Sequence, residues 1–269
     1  MKIIRINEPN DARLGVYRSL KGKHMEKDGI FIAEGPRVVK ALSKTNIEAI
    51  SSLATEYSYK KYRPYLLKLV KRGAPVYISD NDTIEDVIGF RFHQGLMVAA
   101  RSPKKLPFSM IAGEQRSARL LVALDRVNDP QNVGLVVRNA AAFGADALIV
   151  DPGSYDPYYR KAVRVSVGSI FNLPVAYETE IAPFLKRLKK DYDTRIIVTS
   201  PGHGATDIKK TDLSGNVCFV FGNEDTGVSD KVLKLADRIV KVPISRNVDS
   251  LNVACTSAIC LHEAAEARS

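Results

Sequence analysis

Arg138 is the residue whose surroundings first suggest chemistry. In "DPQNVGLVVRNAAAFGAD" (129–146), Arg138 and Asn139 are the only polar side chains from Val133 to Ala145. The segment reads as a helix, and a helix that is apolar nearly all round is usually buried. One turn away stand Gly134, Leu135, Ala141 and Ala142, so no carboxylate can form a helical ion pair with the arginine. A buried guanidinium without a local partner is suited to grip a phosphate or a developing oxyanion. Asn132 opens the same segment, where it can either cap the helix or contact a ligand.

Two further segments break the strand–helix pattern. In "VCFVFGNEDTGVSD" (217–230) an apolar run ends at Gly222, and Asn223, Glu224, Asp225, Thr226 and Gly227 follow before Ser229 caps a helix. The glycines allow a tight turn and close approach of a ligand. No lysine follows the glycine, so this is not a nucleotide phosphate loop. The acidic residues favour a neutral or cationic ligand. In "VPISRNVDSLNVACTSAICLHEAAEA" (242–267) a polar loop leads to Asp249 or Ser250 as helix start. Leu251, Ala254, Ala258, Leu261 and Ala265 form an apolar stripe, and Asn252 faces the loop. Taken singly, each segment is equally an ordinary turn or cap.

The elements that must position these residues alternate regularly. Strands are expected at 119–125, 147–151, 173–178, 194–200, 216–222 and 238–244, with helices near 132–143, 180–190, 229–236 and 251–267. Continuous apolar strands of this kind imply a parallel sheet covered on both faces. Upstream, strands at 29–35, 47–54, 75–79 and 95–100 alternate with helices at 36–43, 57–73 and 82–88, and Pro64 is placed in the first turns of the second helix. This describes a small α/β domain over 1–106. Residues 107–118 read as a linker to a second domain at 119–269.

The formal charge is +10, and it is unevenly spread: residues 1–106 carry 20 Lys and Arg against 11 Asp and Glu, while 107–269 carry 20 against 19. A basic first domain points to a polyanion. Its candidate contacts are Arg18, Lys21, Lys23 and His24, then Lys60, Lys61 and Arg63, the latter interleaved with Tyr57, Tyr59, Tyr62 and Tyr65 for base stacking. Three cysteines without ligand-like spacing argue against disulfides or a metal site, and for a reducing, cytoplasmic setting. No apolar run suits a membrane helix and the opening stretch lacks a secretory core, so no membrane partner is expected.

Together, and in this order, the three segments resemble the signature motifs of the SpoU (TrmH-type) RNA ribose 2′-O-methyltransferases of the SPOUT class. The residues that carry the resemblance are Asn132–Val133–Gly134 with Arg138 and "NAAAFGA", then "FGNEDTGVS", then "VPI" with "DSLNVA". The first domain, with "FIAEGPRVV" and "HQGLMVAA", looks like the small L30e-like substrate-binding domain often joined to this family. The resemblance implies a parallel α/β domain with a trefoil knot, a homodimer formed through that domain, and S-adenosylmethionine as cofactor. It places the cofactor near Thr199, Ser200, Phe221, Gly222, Asn223, Val242, Ile244 and Leu251. It also implies catalytic roles for Arg138, Asn132, Glu224, Ser250 and Asn252.

In that scheme Arg138 holds the phosphate beside the target ribose and stabilises charge on the 2′-oxygen. Asn132 and Asn252 orient Arg138 or the ribose, Glu224 holds the loops or Arg138, and Ser250 fixes the third turn. Two positions depart from many members: Arg246 stands in place of a glycine, and Ala254 in place of a serine. Ribosomal RNA is the favoured substrate. Transfer RNA, or a non-catalytic role in ribosome assembly, are the alternatives.

Overall fold

The computed structural model describes residues 2–18, 20, 29–70, 73–111, 119–202, 204–245 and 247–268. They form two compact units, one of residues 1–104 with 158–171, the other of 105–157 with 172–269.

The first unit runs β1 (Ile3–Arg5), β2 (Ile30–Glu34), α1 (Pro36–Leu42), β3 (Ala49–Ala54), α2 (Glu56–Val70), β4 (Val76–Ile78), α3 (Asn81–Ile88) and β5 (Leu96–Arg101). Its sheet has the order β1-β4-β3-β5-β2. Strands β1, β4 and β3 are parallel, whereas β5 pairs antiparallel with both β2 and β3. Strand β1 is too short to announce itself in the sequence. Pro36 starts α1 as expected, since its missing N–H costs nothing there. Pro64 lies in the middle of α2 rather than in its first turns, and Tyr62 just before it leaves helical geometry (φ −108, ψ 15).

The second unit begins earlier than the expected linker allows. Leu106 bridges to Ala176, and α4 (Phe108–Ile111) inserts the Phe108 ring 5.4 Å from Phe184 and 5.5 Å from Tyr192. Then follow β6 (Leu120–Asp125), α5 (Pro130–Ala142) and β7 (Ala147–Val150). The chain next contributes α6 (Arg160–Val165) to the first unit. It returns as β8 (Val175–Tyr177), α7 (Ile181–Tyr192), β9 (Arg195–Thr199), β10 (Thr206–Asp207), β11 (Val217–Gly222), α8 (Asp230–Leu233), β12 (Arg238–Lys241) and α9 (Val253–Glu266). The sheet order is β10-β12-β9-β11-β6-β7-β8, and every pairing is parallel, as the apolar strands imply.

Residues 158–171 are the main surprise. Tyr158 and Phe171 set their rings 5.2 and 5.6 Å from Phe31 of β2. Arg160 reaches the buried carboxylate of Glu34 at 2.6 Å and lies 4.3 Å over the Phe90 ring, and Arg164 approaches Glu34 at 3.4 Å. A carboxylate that deeply buried requires such partners. The segment reads as part of the second domain in sequence because its partners lie 70 or more residues upstream.

Helix α5 corrects one expectation. Val133, Val136, Val137 and Ala140 face inward, but Arg138 is exposed, on a stripe with half-buried Leu135 and exposed Ala142. The exposed apolar residues are what make the helix look buried all round. Asn139 joins α5 to α9, its Nδ2 donating to Ala254 O (2.8 Å) and Ser257 Oγ (2.9 Å).

Candidate active site

The loops that follow β9, β11 and β12, with the start of α9, enclose a cleft of about 410 Å³. Clefts outside the carboxyl ends of parallel strands are where α/β sheets bind ligands. Thr199 and Ser200 line it from β9, Gly222, Asn223 and Glu224 from β11, Val242 and Ile244 from β12, and Ser250, Leu251 and Asn252 from the approach to α9.

The middle wall is built by glycine and one asparagine. A Cβ on Gly222 would stand 2.4 Å from the backbone N of Val228, so only glycine fits. Gly227 has φ 67, the left-handed region. Between them the backbones of Asn223 and Gly227 exchange two hydrogen bonds (3.2 and 2.9 Å). The Asn223 Oδ1 accepts from Asp225 N, Thr226 N and Thr226 Oγ1, and its Nδ2 donates to Arg126 O. This side chain, like the Asn223 backbone, is engaged in shaping the loop.

A relay of amides connects the three motif segments. Asn252 Oδ1 accepts from Ala254 N (2.8 Å) as the N-cap of α9, which turns its Nδ2 toward Asn132 Oδ1 (3.0 Å). Asn132 Nδ2 then donates to Glu224 Oε1 at 2.6 Å. A carboxylate accepts and a backbone N–H donates, so the two ends fix the orientation of both asparagines between them. Asn132 is buried and is not a cap; Asp129 caps α5 by accepting from Gln131 N. Asn252, not Asp249 or Ser250, caps α9.

Other expected residues fall as follows. Phe221 is fully buried within β11, stacked on Phe219 at 6.1 Å, and does not line the cleft. Its alternate neighbour Gly222 reaches the cleft instead. Ser250 lines the cleft and makes no side-chain hydrogen bond among the described residues, so the turn it was expected to fix is pinned by Asn252. Leu251 precedes α9 and is exposed at the cleft, while the buried face of the helix is Ala254, Ser257, Cys260, Leu261 and Ala264. Arg138 lies outside the lining and, exposed, makes no ion pair among the described residues. Asp225, Lys241, Asp249 and Thr256 also line the cleft and were not singled out, though the first and third sit inside the motif loops.

On the first unit, Lys60, Lys61 and Arg63 are exposed on α2. Lys61 Nζ lies 5.2 Å over the Tyr57 ring and 5.6 Å over Tyr62, and Tyr57 is 69% exposed. Lys60 approaches Glu56 at 3.5 Å. Arg18 is turned inward, donating to Pro9 O (2.5 Å) and Asp11 O (3.0 Å). Lys21, Lys23, His24 and Arg246 lie outside the described residues.

Comparison with known proteins agrees with this arrangement. The chain is 30% identical over 264 residues to an uncharacterised tRNA/rRNA methyltransferase of Mycobacterium bovis, covering 95% of this chain and 89% of that one. It is 32% identical over 243 residues to the 23S rRNA (guanosine-2′-O-)-methyltransferase RlmB of Acinetobacter baylyi, covering 87% and 96%. The crystal structure of an AdoMet-bound rRNA methyltransferase from Sinorhizobium meliloti superposes with a TM-score of 0.83 at 25% identity, covering 98% of both chains. Residues 119–262, which hold the cleft and the whole amide relay, match the SpoU rRNA Methylase family, and the chain belongs to it.

Proposed function

We propose that this protein transfers a methyl group from S-adenosylmethionine to a ribose 2′-oxygen of ribosomal RNA. The observation that carries this reading is the cleft whose walls are tied together by the Asn252–Asn132–Glu224 relay. Its lining fits the cofactor: Val242, Ile244 and Leu251 offer apolar surface, Gly222 allows close backbone approach, and Glu224, Asp225 and Asp249 bring negative charge to a cationic ligand. When bound, S-adenosylmethionine supplies a methyl group activated by its sulfonium. The protein's own task is then positioning, which carries much of the rate in such displacements.

Arg138 holds the phosphate beside the target ribose and stabilises negative charge on the 2′-oxygen, while the phosphate or water takes the proton. It does not act as a base, because a guanidinium keeps its proton. The homodimer and the trefoil knot belong to the same reading. Leu135, Arg138 and Ala142 on α5, with Cys255, Ala258, Ile259 and His262 on α9, are exposed or half-buried residues of two packed helices, a surface that a second copy of the chain would cover. Covering it would return Arg138 to the low-dielectric setting its role needs. The cation–tyrosine patch on α2 supports RNA selection by the first unit, with that unit as the substrate-binding domain and the second as the catalytic one. Among the described residues no helix is long and apolar enough to cross a membrane. A cytoplasmic location follows from the substrate.

The test is methylation of ribosomal RNA from cells lacking this gene, using purified protein and labelled S-adenosylmethionine. Nucleoside mass spectrometry should find one 2′-O-methylated nucleotide. Arg138→Ala should abolish transfer and leave cofactor affinity near wild type. No incorporation by the wild-type protein would overturn the reading.

A further inference from the structure

Arg126 stands at the tip of β6 with φ 61, a left-handed backbone that non-glycine residues rarely adopt. Such strain persists only where the surroundings over-determine it. Here they do so on every side. The Arg126 N–H donates to Asp151 Oδ1 (3.0 Å), and the Arg126 carbonyl accepts from Asn223 Nδ2 (2.9 Å). The next residue, Val127, donates to Ser154 Oγ (2.9 Å), which itself donates to Asp151 Oδ1 (2.6 Å). Asp125, just before, accepts from Ser229 N at 2.6 Å.

The side chain that this turn projects has no comparable satisfaction. Its stem lies against Gly153, where a Cβ would come within 2.7 Å of Arg126 Cγ. Its buried Nε lies 3.4 Å from Asp125 Oδ1, near enough to pair in charge but without a hydrogen bond among the described residues. Nη2 has only a long bond of 3.4 Å to Gly227 O. The side chain is 42% exposed, so the outer edge of the guanidinium faces solvent. Arg126 rests against the 223–227 loop, one wall of the cleft, yet is not among the residues lining the cleft itself. A ligand that it meets is therefore not the one in the cleft but one lying outside that wall.

We propose that Arg126 is a substrate-positioning residue that grips a backbone phosphate of the RNA beside the methylated nucleotide. A planar fork of donors packed at its stem and facing solvent along its outer edge suits a phosphate. The inference rests on the reaction proposed above and adds a residue to it. The strain is retained because glycine, which the backbone conformation favours, would offer the phosphate nothing.

The experiment compares full-length wild type, Arg126→Gly and Arg126→Lys. Glycine adopts φ 61 freely, so Arg126→Gly should melt at the wild-type temperature or above. Its affinity for S-adenosylmethionine by calorimetry should be unchanged. Its affinity for ribosomal RNA, by filter binding across a salt series, should fall about tenfold, and the slope against log salt should shrink by about 0.7–0.9, one phosphate's worth. KM for RNA should rise in step, and Arg126→Lys should recover part of the loss. Wild-type RNA affinity and salt slope in Arg126→Gly overturn the inference, as does a lowered melting temperature with parallel loss of cofactor binding. If wild type binds RNA but transfers no methyl group, the proposed reaction fails while the salt slopes still judge Arg126.

Discussion

The carboxylate of Glu224 decides which way two asparagines point, and that makes the relay sensitive to single-atom changes. Asn132→Ala removes both of its bonds without adding bulk. The neutral bond from Asn252 contributes about 1 kcal/mol and the bond to the Glu224 carboxylate about 1.5–3 kcal/mol, so the fold should survive with a lowered melting temperature. Loop placement should not survive, and methyl transfer should fall about 100-fold, the usual cost of a reacting group displaced by about 1 Å. Asn132→Asp is the sharper test. It sets a second carboxylate against Glu224, which the wild-type amide meets at 2.6 Å, and two carboxylates that close cannot both ionise. The variant's activity should therefore recover as pH is lowered and one of the pair takes a proton, whereas Asn132→Ala should show no such recovery. A pH–rate profile of the two variants distinguishes them.

At the scale of elements, the loop after β11 depends on a missing side chain. Gly222→Ala brings a methyl within 2.4 Å of the Val228 backbone N, which cannot rotate away. The variant should lose about 1–3 kcal/mol of stability and bind S-adenosylmethionine at least about tenfold more weakly, by thermal melting and calorimetry. Helix α6 depends on a charge. Glu34→Ala leaves Arg160 without its 2.6 Å partner against buried surface, and should cost about 1–3 kcal/mol in urea unfolding. The parallel sheet, the cleft loops and most helices were legible because each is written locally, as an apolar run, a glycine turn or a cap. What escaped is non-local. The period of α5 does not say that Leu135 and Ala142 share an exposed face with Arg138. Nor does "YYRKAVRVSVGSIF" say that its tyrosine and phenylalanine pack on Phe31. The cap of α5 is readable, as an aspartate before a proline at the first helical position, whereas Asn132 reads equally as a cap or a ligand contact.

The whole molecule carries three cysteines in contrasting places. Burial pushes the Cys260 thiol up to about 12 and raises Cys218 further, so neither offers thiolate near neutral pH. Cys255 is exposed on α9. Iodoacetamide at pH 8 should modify dilute protein at Cys255 alone, and urea-unfolded protein at all three, by intact mass. If a second copy covers this face, protection of Cys255 should rise with protein concentration along with the mass seen by light scattering. The arrangement of the first unit also bears on how the chain is made. Its sheet is complete by Arg101, but Tyr158, Arg160 and Phe171 that cover Phe31 and neutralise Glu34 are synthesised about 57 to 70 residues later. At about 5–20 residues per second, the emerging domain waits several seconds with an aromatic face open and a carboxylate unpaired. It cannot finish folding until residues 105–157, about the first third of the second unit, have already been synthesised.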